Sequence, residues 1–394
     1  ARLPLICSII FSLIVLLYFK YTDFLIENIN RVLNLEIAPL KMALPIGISF
    51  YTFQILSYTI DVYNGNAKVQ KNFFTFASYV TLFPQLIAGP IVRYTTVEQE
   101  LSRREHTVSD FAYGVNRFVI GLSKKVLIAN TLGELGQVFY NLNENTILFY
   151  WIFAAAFMLQ IYYDFSGYSD MAIGLGRFFG FRFLENFNYP FISRSISEFW
   201  RRWHISLGTW FRDYLYIPMG GNRAGTLKWI RNVIVVWFLT GLWHGANWNF
   251  IIWGLYFGVL LILEKLFINK LLNKLPSVAG HIYTLFFTII SFVIFNTNNM
   301  TECFEYIKGM FGILNIPFSG DETVYYLSSY GFTLIVAAFG ATPLAGNVIK
   351  KIKSVKKGEL ILNTIEPVLL VSLLLMVTGY IIDGSFNPFL YFRF

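Results

Sequence analysis

The sequence predicts an all-α protein that crosses a membrane several times. Of its 394 residues, 56% are hydrophobic and only 14% are charged, whereas soluble globular domains carry about 25% charged residues. Apolar runs of roughly 17 to 25 residues, the length that crosses a bilayer as a helix, recur along most of the chain. No fixed-period repeat, low-complexity tract or soluble-domain linker separates these runs. We therefore expect one continuous membrane domain over residues 1–394.

Charge and cysteine content exclude two other classes. The net charge is +8, but Lys and Arg lie in short loops between apolar runs rather than on one basic face. This distribution is typical of positive-inside topology, so we expect a lipid bilayer and no nucleic acid as partner. The two cysteines, Cys7 and Cys303, indicate neither a disulfide framework nor a metal site. The chain begins at Ala1 without a Met, enters a spanning segment within a few residues and shows no signal peptide, so we expect a native N-terminal portion to be missing from it.

Three apolar segments open the chain. Residues 3–19 form the first predicted span, which Lys20 closes. Residues 40–60 form the second, and its Pro45 and Gly47 would kink or interrupt a helix, which a membrane tolerates only where protein covers the freed backbone groups. Residues 73–91 contain Pro84, so a broken or re-entrant helix fits them as well as a full span does.

Residues 111–129 form the next predicted span, between polar loops at 93–110 and 130–146. The first loop contains arginines, whereas the second has no Lys or Arg, which places the first loop on the cytoplasmic side. Lys124 and Lys125, at the opposite end of the span, weaken this assignment. Residues 147–163 cross next and run into DFSGYSDMAIGLG, whose glycines would let helices approach closely.

Residues 191–218 form a predicted amphipathic helix on the cytoplasmic side. Aromatic and aliphatic residues recur at steps of three and four, and Arg201, Arg202, Arg212 and Asp213 lie outside that stripe. Such a helix lies in or near the membrane interface.

The remaining sequence predicts further spans. Residues 229–243 and 249–266 form an apolar pair that breaks at the tetrapeptide HGAN, and later spans cover 281–296, 330–345 and 361–382. The lysine-rich loop at 350–357 should be cytoplasmic, and residues 301–323 and the aromatic tail NPFLYFRF should be outside. The tail either docks a partner or anchors the last helix. In all we expect about nine or ten membrane-embedded helices.

His244 is the principal candidate for chemistry. It follows the apolar run VIVVWFLTGLW and precedes Gly245, Ala246 and Asn247. A neutral imidazole can take a proton from a hydroxyl near pH 7, and apolar surroundings disfavour its charged form, which suits a general base. The alternative is a histidine that is hydrogen-bonded within a helix break.

His204, Arg201 and Arg202 form a second candidate group. Guanidinium groups match the oxygens of phosphate or carboxylate, so these residues could hold a charged donor. Alternatively, the arginines contact lipid headgroups. His204 and His244 are 40 residues apart, and no cysteine ligands lie nearby, so no metal site is expected.

Three further residues are weaker candidates. Asp164 could orient a histidine or bind a substrate hydroxyl, or it could cap a helix that begins near Ser166. Asn247 and the indole N–H of Trp243 are candidate donors to a developing oxyanion.

Several segments resemble the membrane-bound O-acyltransferases, in particular the bacterial branch that acetylates alginate-type polysaccharides. The segments are SEFWRRWHISLGTWFRDYLYIPMGGNR, GLWHGANWNFIIWGLYFG, LPIGISFYTFQILSYTIDVY, FPQLIAGPIVRY, QIYYDFSGYSDMAIGLGRFFGFRFLENFNYPF and the terminal YFRF. The resemblance implies a ring of tilted and re-entrant helices around a central tunnel. It also implies that His244 is the main catalytic histidine and His204 a second important polar residue.

The resemblance further implies an activity. Acetyl-CoA would be the donor on the cytoplasmic side of the inner membrane, and the acetyl group would move toward hydroxyls of an extracytoplasmic polysaccharide. An external acetyltransferase partner protein would finish the transfer. The alternatives are D-alanyl transfer to teichoic acid from a carrier-protein thioester, and a non-catalytic scaffold or transporter of a polysaccharide export complex. The paired repeats common in transporters are not seen in the sequence.

Overall fold

The all-α prediction is confirmed. The computed structural model describes residues 2–87, 89–142, 145–223, 225–384 and 389, and these residues contain helices and no β-strand. Six of the described helical stretches are long and apolar enough to cross a membrane: Arg2–Leu33, Ile147–Phe178, Trp248–Leu272, Ser277–Asn296, Asp321–Gly340 and Gly358–Asp383. This number is below the nine or ten membrane-embedded helices expected.

The first five helices confirm the predicted interruptions. They are α1 (Arg2–Leu33), α2 (Ile48–Tyr63), α3 (Phe73–Val80), α4 (Phe83–Leu86) and α5 (Tyr94–Ser102). α2 begins directly after Gly47, which has a left-handed φ of 77°. A Cβ added at Gly47 would lie 2.4 Å from the Leu86 carbonyl oxygen, so the position is also too crowded for a side chain. Residues 73–91 form a broken helix rather than a full span.

The predicted loop at 130–146 is largely wrong. α6 (Val108–Ser123) continues through a π-helical turn, Lys124–Ala129, directly into α7 (Asn130–Asn141), which packs beside α8 (Ile147–Phe178). Paired glycines bring α6 and α8 together, since a Cβ at Gly121 would lie 2.5 Å from the Gly167 carbonyl oxygen. The close approach predicted for the glycines of this segment is therefore present.

Buried ion pairs hold this π-helical turn against α8. Lys125 Nζ lies 2.5 Å from Asp164, and Lys124 Nζ lies 2.6 Å from Asp170, which also pairs with Arg117 at 2.7 Å. Lys125 is therefore buried and Lys124 half-buried, and neither lysine marks the end of a helix. Asp164 lies in the middle of α8, so the alternative in which it caps a helix near Ser166 is wrong.

The single amphipathic helix predicted over residues 191–218 is wrong. The segment forms α9 (Ile196–Arg202), α10 (Ile205–Phe211) and a π-helical turn, Arg212–Tyr216. The break falls at His204, whose φ of 45° and ψ of 52° are left-handed and cannot continue a right-handed helix. The buried carboxylate of Glu264 accepts hydrogen bonds from the backbone N–H groups of Ile196 and Ser197 and thereby fixes the start of α9.

The hairpin of α11 and α12 carries the predicted break. α11 (Thr226–His244) ends at His244, and α12 (Trp248–Leu263) continues through a π-helical turn, Glu264–Ile268, into α13 (Asn269–Leu272). A Cβ at Gly254 would lie 2.2 Å from the Trp237 carbonyl oxygen, so the two helices touch backbone to backbone.

The last helices complete the bundle. They are α14 (Ser277–Asn296), α15 (Met300–Met310), α16 (Asp321–Gly340), α17 (Leu344–Lys353) and α18 (Gly358–Asp383). The largest buried core lies among α8, α9, α12 and α14. Of the aromatic tail, only Phe389 is described, and its ring contacts Tyr168 and lies 4.8 Å from Lys125 Nζ. The two interpretations of the tail concern mostly residues outside the described part.

Candidate active site

His244 is buried at the point where α11 ends. Its ring packs edge-on against Trp253 and Phe295, with centroids 4.8 and 5.6 Å away. Neither ring nitrogen has a hydrogen-bond partner among the described residues. Buried polar atoms are nearly always paired, so an imidazole with two unpaired nitrogens indicates a site prepared for another molecule. The alternative, a histidine hydrogen-bonded within the break, is not seen there.

Lys20 of α1 supports this helix end. Its ammonium donates to the carbonyl of Trp243 at 2.5 Å and to that of His244 at 3.4 Å, and it reaches Ser49 Oγ at 3.1 Å. A cation at a helix C-terminus satisfies carbonyls that have no partner within the helix. In the sequence, Lys20 indicated only the end of a predicted span. The available signal was its position directly after the apolar run of residues 3–19.

His204 lies in the same aromatic environment as His244. It is almost fully buried, and its ring contacts Phe165 and Trp243 with centroids 4.7 and 6.1 Å away. Trp243 also contacts His244 at 5.1 Å. The structure therefore brings the two predicted histidines together around one indole ring.

A cavity of about 610 Å³ is lined by residues close in sequence to the two histidines, among them Ile205 and Thr240. Its apolar walls include Trp200, Trp229 and Trp237, and its cationic side chains are Arg201, Arg212 and Lys265. Two of these cations are engaged: Arg212 pairs with Asp213 at 2.7 Å, and Lys265 donates to Asn222 at 2.8 Å.

The two predicted donor-binding arginines have different surroundings. Arg201 is exposed, lines the cavity, and makes no ion pair with the described residues. Arg202 pairs with Glu198 at 2.9 Å and donates to the Asn188 carbonyl at 3.1 Å. Of these two arginines, only Arg201 lines the cavity and could bind a charged group there.

A second cavity, of about 250 Å³, is lined by Lys20, Asp23 and Ala246 together with residues 40, 42 and 44. Thr240, one turn before His244, lines the first cavity, and Ala246, two residues after it, lines the second. In the sequence, His244 therefore lies between a residue that lines the first cavity and a residue that lines the second.

The remaining predicted residues are already hydrogen-bonded or ion-paired. The Trp243 indole N–H lies 3.4 Å from the Ser49 carbonyl, and the Asn247 amide donates to the Asn298 carbonyl at 3.2 Å. Asp164 is paired with Lys125, and its neighbour Phe165 is the residue that packs on His204. The geometry therefore gives little support to an oxyanion role for Trp243 or Asn247.

Two carboxylates in the segment of α9 and α10, which lies outside the spanning helices, are paired with arginines. Burial alone would raise the pKa of Asp213, but hydrogen bonds from Arg212 and Arg93 outweigh it and lower that pKa below its ordinary value. The same balance holds at Glu198. Burial alone would raise the pKa of this carboxyl, but hydrogen bonds from the Arg194 backbone and the Arg202 side chain outweigh it and lower that pKa below its ordinary value. Within the described ranges, no three His, Cys, Asp or Glu side chains cluster as metal ligands would.

This chain is similar in sequence to known proteins over most of its length. Residues 66–301 match the sequence model of MBOAT, the membrane-bound O-acyltransferase family. A probable alginate O-acetylase of Pseudomonas aeruginosa is 46% identical over 315 residues, which are 78% of this chain and 60% of that protein. One of Azotobacter vinelandii is 39% identical over 424 residues, 98% of this chain and 84% of that protein. A peptidoglycan O-acetyltransferase of Helicobacter pylori is 35% identical over 79% of this chain and 65% of its own length.

Proposed function

This chain belongs to the membrane-bound O-acyltransferase family, and from that premise we propose that it transfers an acetyl group from acetyl-CoA toward hydroxyl groups of a polysaccharide outside the cytoplasmic membrane. His244 is the general base. The observation that carries this proposal is His244 itself, buried where α11 ends, with both ring nitrogens unpaired among the described residues. Its neighbours in sequence, Thr240 and Ala246, line the 610 and 250 Å³ cavities.

The 610 Å³ cavity is the donor site. Its indole walls suit the apolar and amide portions of a long thioester, since aromatic side chains offer large apolar contact area. Arg201 is available for a phosphate, because guanidinium groups form charge-assisted bonds with phosphate oxygens. The arginines on and after α9 also favour a cytoplasmic position for this opening.

The 250 Å³ cavity beyond His244 is the acceptor side. Lys20, which lines this cavity, also bonds the His244 carbonyl. A hydroxyl that passes from the cavity to the His244 ring would lose its proton to the imidazole as its oxygen attacks the thioester carbonyl. The new C–O ester bond forms, the C–S bond breaks, and the proton passes from the imidazole to the thiolate that leaves. His244 ends the cycle neutral, as it began.

The transfer ends on a polysaccharide through a second protein. The resemblance in the sequence implies an external acetyltransferase partner, and the relatives above are named for acetylation of alginate or peptidoglycan. These names support an acetyl donor and a glycan acceptor for this chain. D-alanyl transfer from a carrier-protein thioester to teichoic acid is the competing donor and acceptor pair.

The test is consumption of labelled acetyl-CoA by the purified protein in detergent, compared with the His244→Ala variant. His281→Ala is the matched control, because His281 is a partly buried helix histidine whose Nδ1 lies 3.2 Å from the Ser193 carbonyl, away from the site. The proposal predicts turnover by the parent and the control and none by His244→Ala. Use of a carrier-linked acyl donor alone would instead assign the alanylating reaction. Turnover that survives in His244→Ala would remove His244 from the chemistry.

A further inference from the structure

A hydrogen-bond network determines which nitrogen of His204 carries a proton. His204 Nδ1 lies 3.2 Å from Asn186 Oδ1. The same oxygen accepts from the Ser206 backbone N–H at 3.1 Å and from Ser206 Oγ at 2.9 Å. Because a backbone N–H can only donate, the Asn186 atom that faces it must be the amide oxygen and not the amide nitrogen.

The direction of the Ser206 hydroxyl is also determined. Its oxygen accepts from the Ile91 backbone N–H at 3.0 Å, which leaves its proton for Asn186 Oδ1. On the other side of the amide, Asn186 Nδ2 donates to Ser169 Oγ at 3.3 Å. With Oδ1 an obligatory acceptor, a hydrogen bond to His204 requires a proton on Nδ1.

Backbone hydrogen bonds also hold Asn186 next to His204. The Ile205 N–H donates to the Asn186 carbonyl at 3.0 Å, and the Asn188 N–H donates to the Arg202 carbonyl at 2.9 Å. Residues 186–188 therefore bracket the helix break from both sides, and His204 sits between these two bonds in its left-handed conformation. Its ring has little freedom to turn away from Asn186, because Phe165 and Trp243 pack against it.

We propose that Asn186 is a positioning residue that fixes His204 with its proton on Nδ1 and an acceptor lone pair on Nε2. Nε2 is buried and has no hydrogen-bond partner among the described residues. In a neutral ring protonated at Nδ1, Nε2 can only accept. His204 Nε2 can therefore accept a hydrogen bond from an N–H or O–H group but cannot donate one to a developing oxyanion. The role of His204 Nε2 as an acceptor during catalysis rests on the proposed acyl transfer. The position of the proton on Nδ1 rests only on the hydrogen bonds of Asn186.

The tautomer is measured directly by ¹⁵N NMR of the full chain labelled in histidine. The sequence has four histidines, so the spectrum is simple, and the His204→Gln variant assigns the resonances of interest. The parent should show His204 with a protonated Nδ1 and an unprotonated Nε2. A parent spectrum with Nε2 protonated overturns the proposal, whatever the transfer activity is.

Two substitutions of Asn186 separate positioning from folding. Asn186→Leu removes the acceptor, so His204 should sample both tautomers, and acyl transfer should fall by roughly 10- to 100-fold, the loss seen when partners that orient metal-bound histidines are removed. Asn186→Asp keeps an acceptor oxygen and should keep the Nδ1–H tautomer. Asn232→Leu is the control, because Asn232 is an equally buried asparagine that bonds to the Met219 and Gly221 carbonyls instead.

The outcomes distinguish this proposal from the function above. A single tautomer that is unchanged in Asn186→Leu would show that Asn186 does not fix the ring. The expected tautomers in a protein that consumes no acyl donor would uphold the positioning role and count against acyl transfer. A mixed tautomer in the Asn232→Leu control would mean that general loosening, not the Asn186 contact, controls the ring.

Discussion

Replacing Arg201 with Gln should weaken acetyl-CoA binding about tenfold, whereas the same change at the adjacent Arg202 should leave binding unaltered. Arg201 lines the 610 Å³ cavity and makes no ion pair with the described residues. Arg202 is held by Glu198 at 2.9 Å and by the Asn188 carbonyl. The two arginines are neighbours of identical chemistry, so they form a matched pair.

The magnitude follows from the surroundings of each guanidinium. A hydrogen bond to a charged group contributes about 1.5–3 kcal/mol, which corresponds to roughly 10- to 150-fold in affinity. Arg201 is exposed, so solvent and salt screen its interaction, and the lower end of this range applies. At Arg202 the change removes an i,i+4 pair worth about 0.3–0.5 kcal/mol and one backbone contact, which affects stability and not donor binding.

Calorimetric titration of acetyl-CoA into the purified variants measures this difference. Both changes are made in the His244→Ala background, so that turnover does not consume the donor during the titration. The difference in acetyl-CoA affinity between the Arg201→Gln and Arg202→Gln variants should become smaller as ionic strength rises, because salt screens the charge of Arg201. Unaltered binding in the Arg201 variant, or equal weakening in both variants, would refute the assignment of this cavity to the donor.

Three further changes test the support of the site and of the bundle. Lys20→Met should lower acyl transfer about tenfold, because the carbonyls of Trp243 and His244 lose their donor and a buried unsatisfied group costs about 1–3 kcal/mol. Steady-state turnover measures it, and Lys20→Arg should retain more activity. Gly254→Ala should lower the free energy of unfolding by about 1–3 kcal/mol, because its Cβ would lie 2.2 Å from the Trp237 carbonyl oxygen. Lys125→Met should cost about 3–5 kcal/mol in a thermal or denaturant unfolding assay, since it breaks a buried ion pair, and adding Asp164→Leu should recover much of the loss.

Each of these changes has a control elsewhere in the chain. Lys71 is exposed, so Lys71→Met should leave turnover unaltered. A Cβ at Gly331 meets no atom within 4 Å, so Gly331→Ala should not destabilise its helix. Lys308 pairs with Glu305 at the surface, and Lys308→Met should change stability by less than about 1 kcal/mol. A control that behaves like its test variant would contradict the corresponding explanation.

Local sequence signals predicted the helix breaks near the site. Gly47 lies where α2 begins, and the tetrapeptide after Trp243 lies where α11 gives way to α12. Glycine permits the left-handed conformation or the close packing that these positions have, and that requirement is local. The position of His244 at a break could therefore be predicted without any knowledge of its neighbours.

Other features depend on partners that are distant in sequence. Lys125 was expected to lie at the end of a span, but it is buried because Asp164 lies opposite it on α8. The periodicity predicts one helix through His204, but His204 has a left-handed backbone and separates α9 from α10. The neighbouring Ile205 N–H donates to the carbonyl of Asn186, a contact that the local pattern does not show. Asn186 and Lys20 were not selected as site residues, since an asparagine or lysine alone gives no sign of the group that it will contact.

In the proposed acetyl transfer, His244 removes the proton of the acceptor. Consumption of labelled acetyl-CoA by the purified protein, measured beside His244→Ala and His281→Ala, is the decisive measurement of this role. We expect turnover in the parent and in His281→Ala and none in His244→Ala, with normal membrane insertion of all three. Equal turnover in His244→Ala and the parent would contradict it.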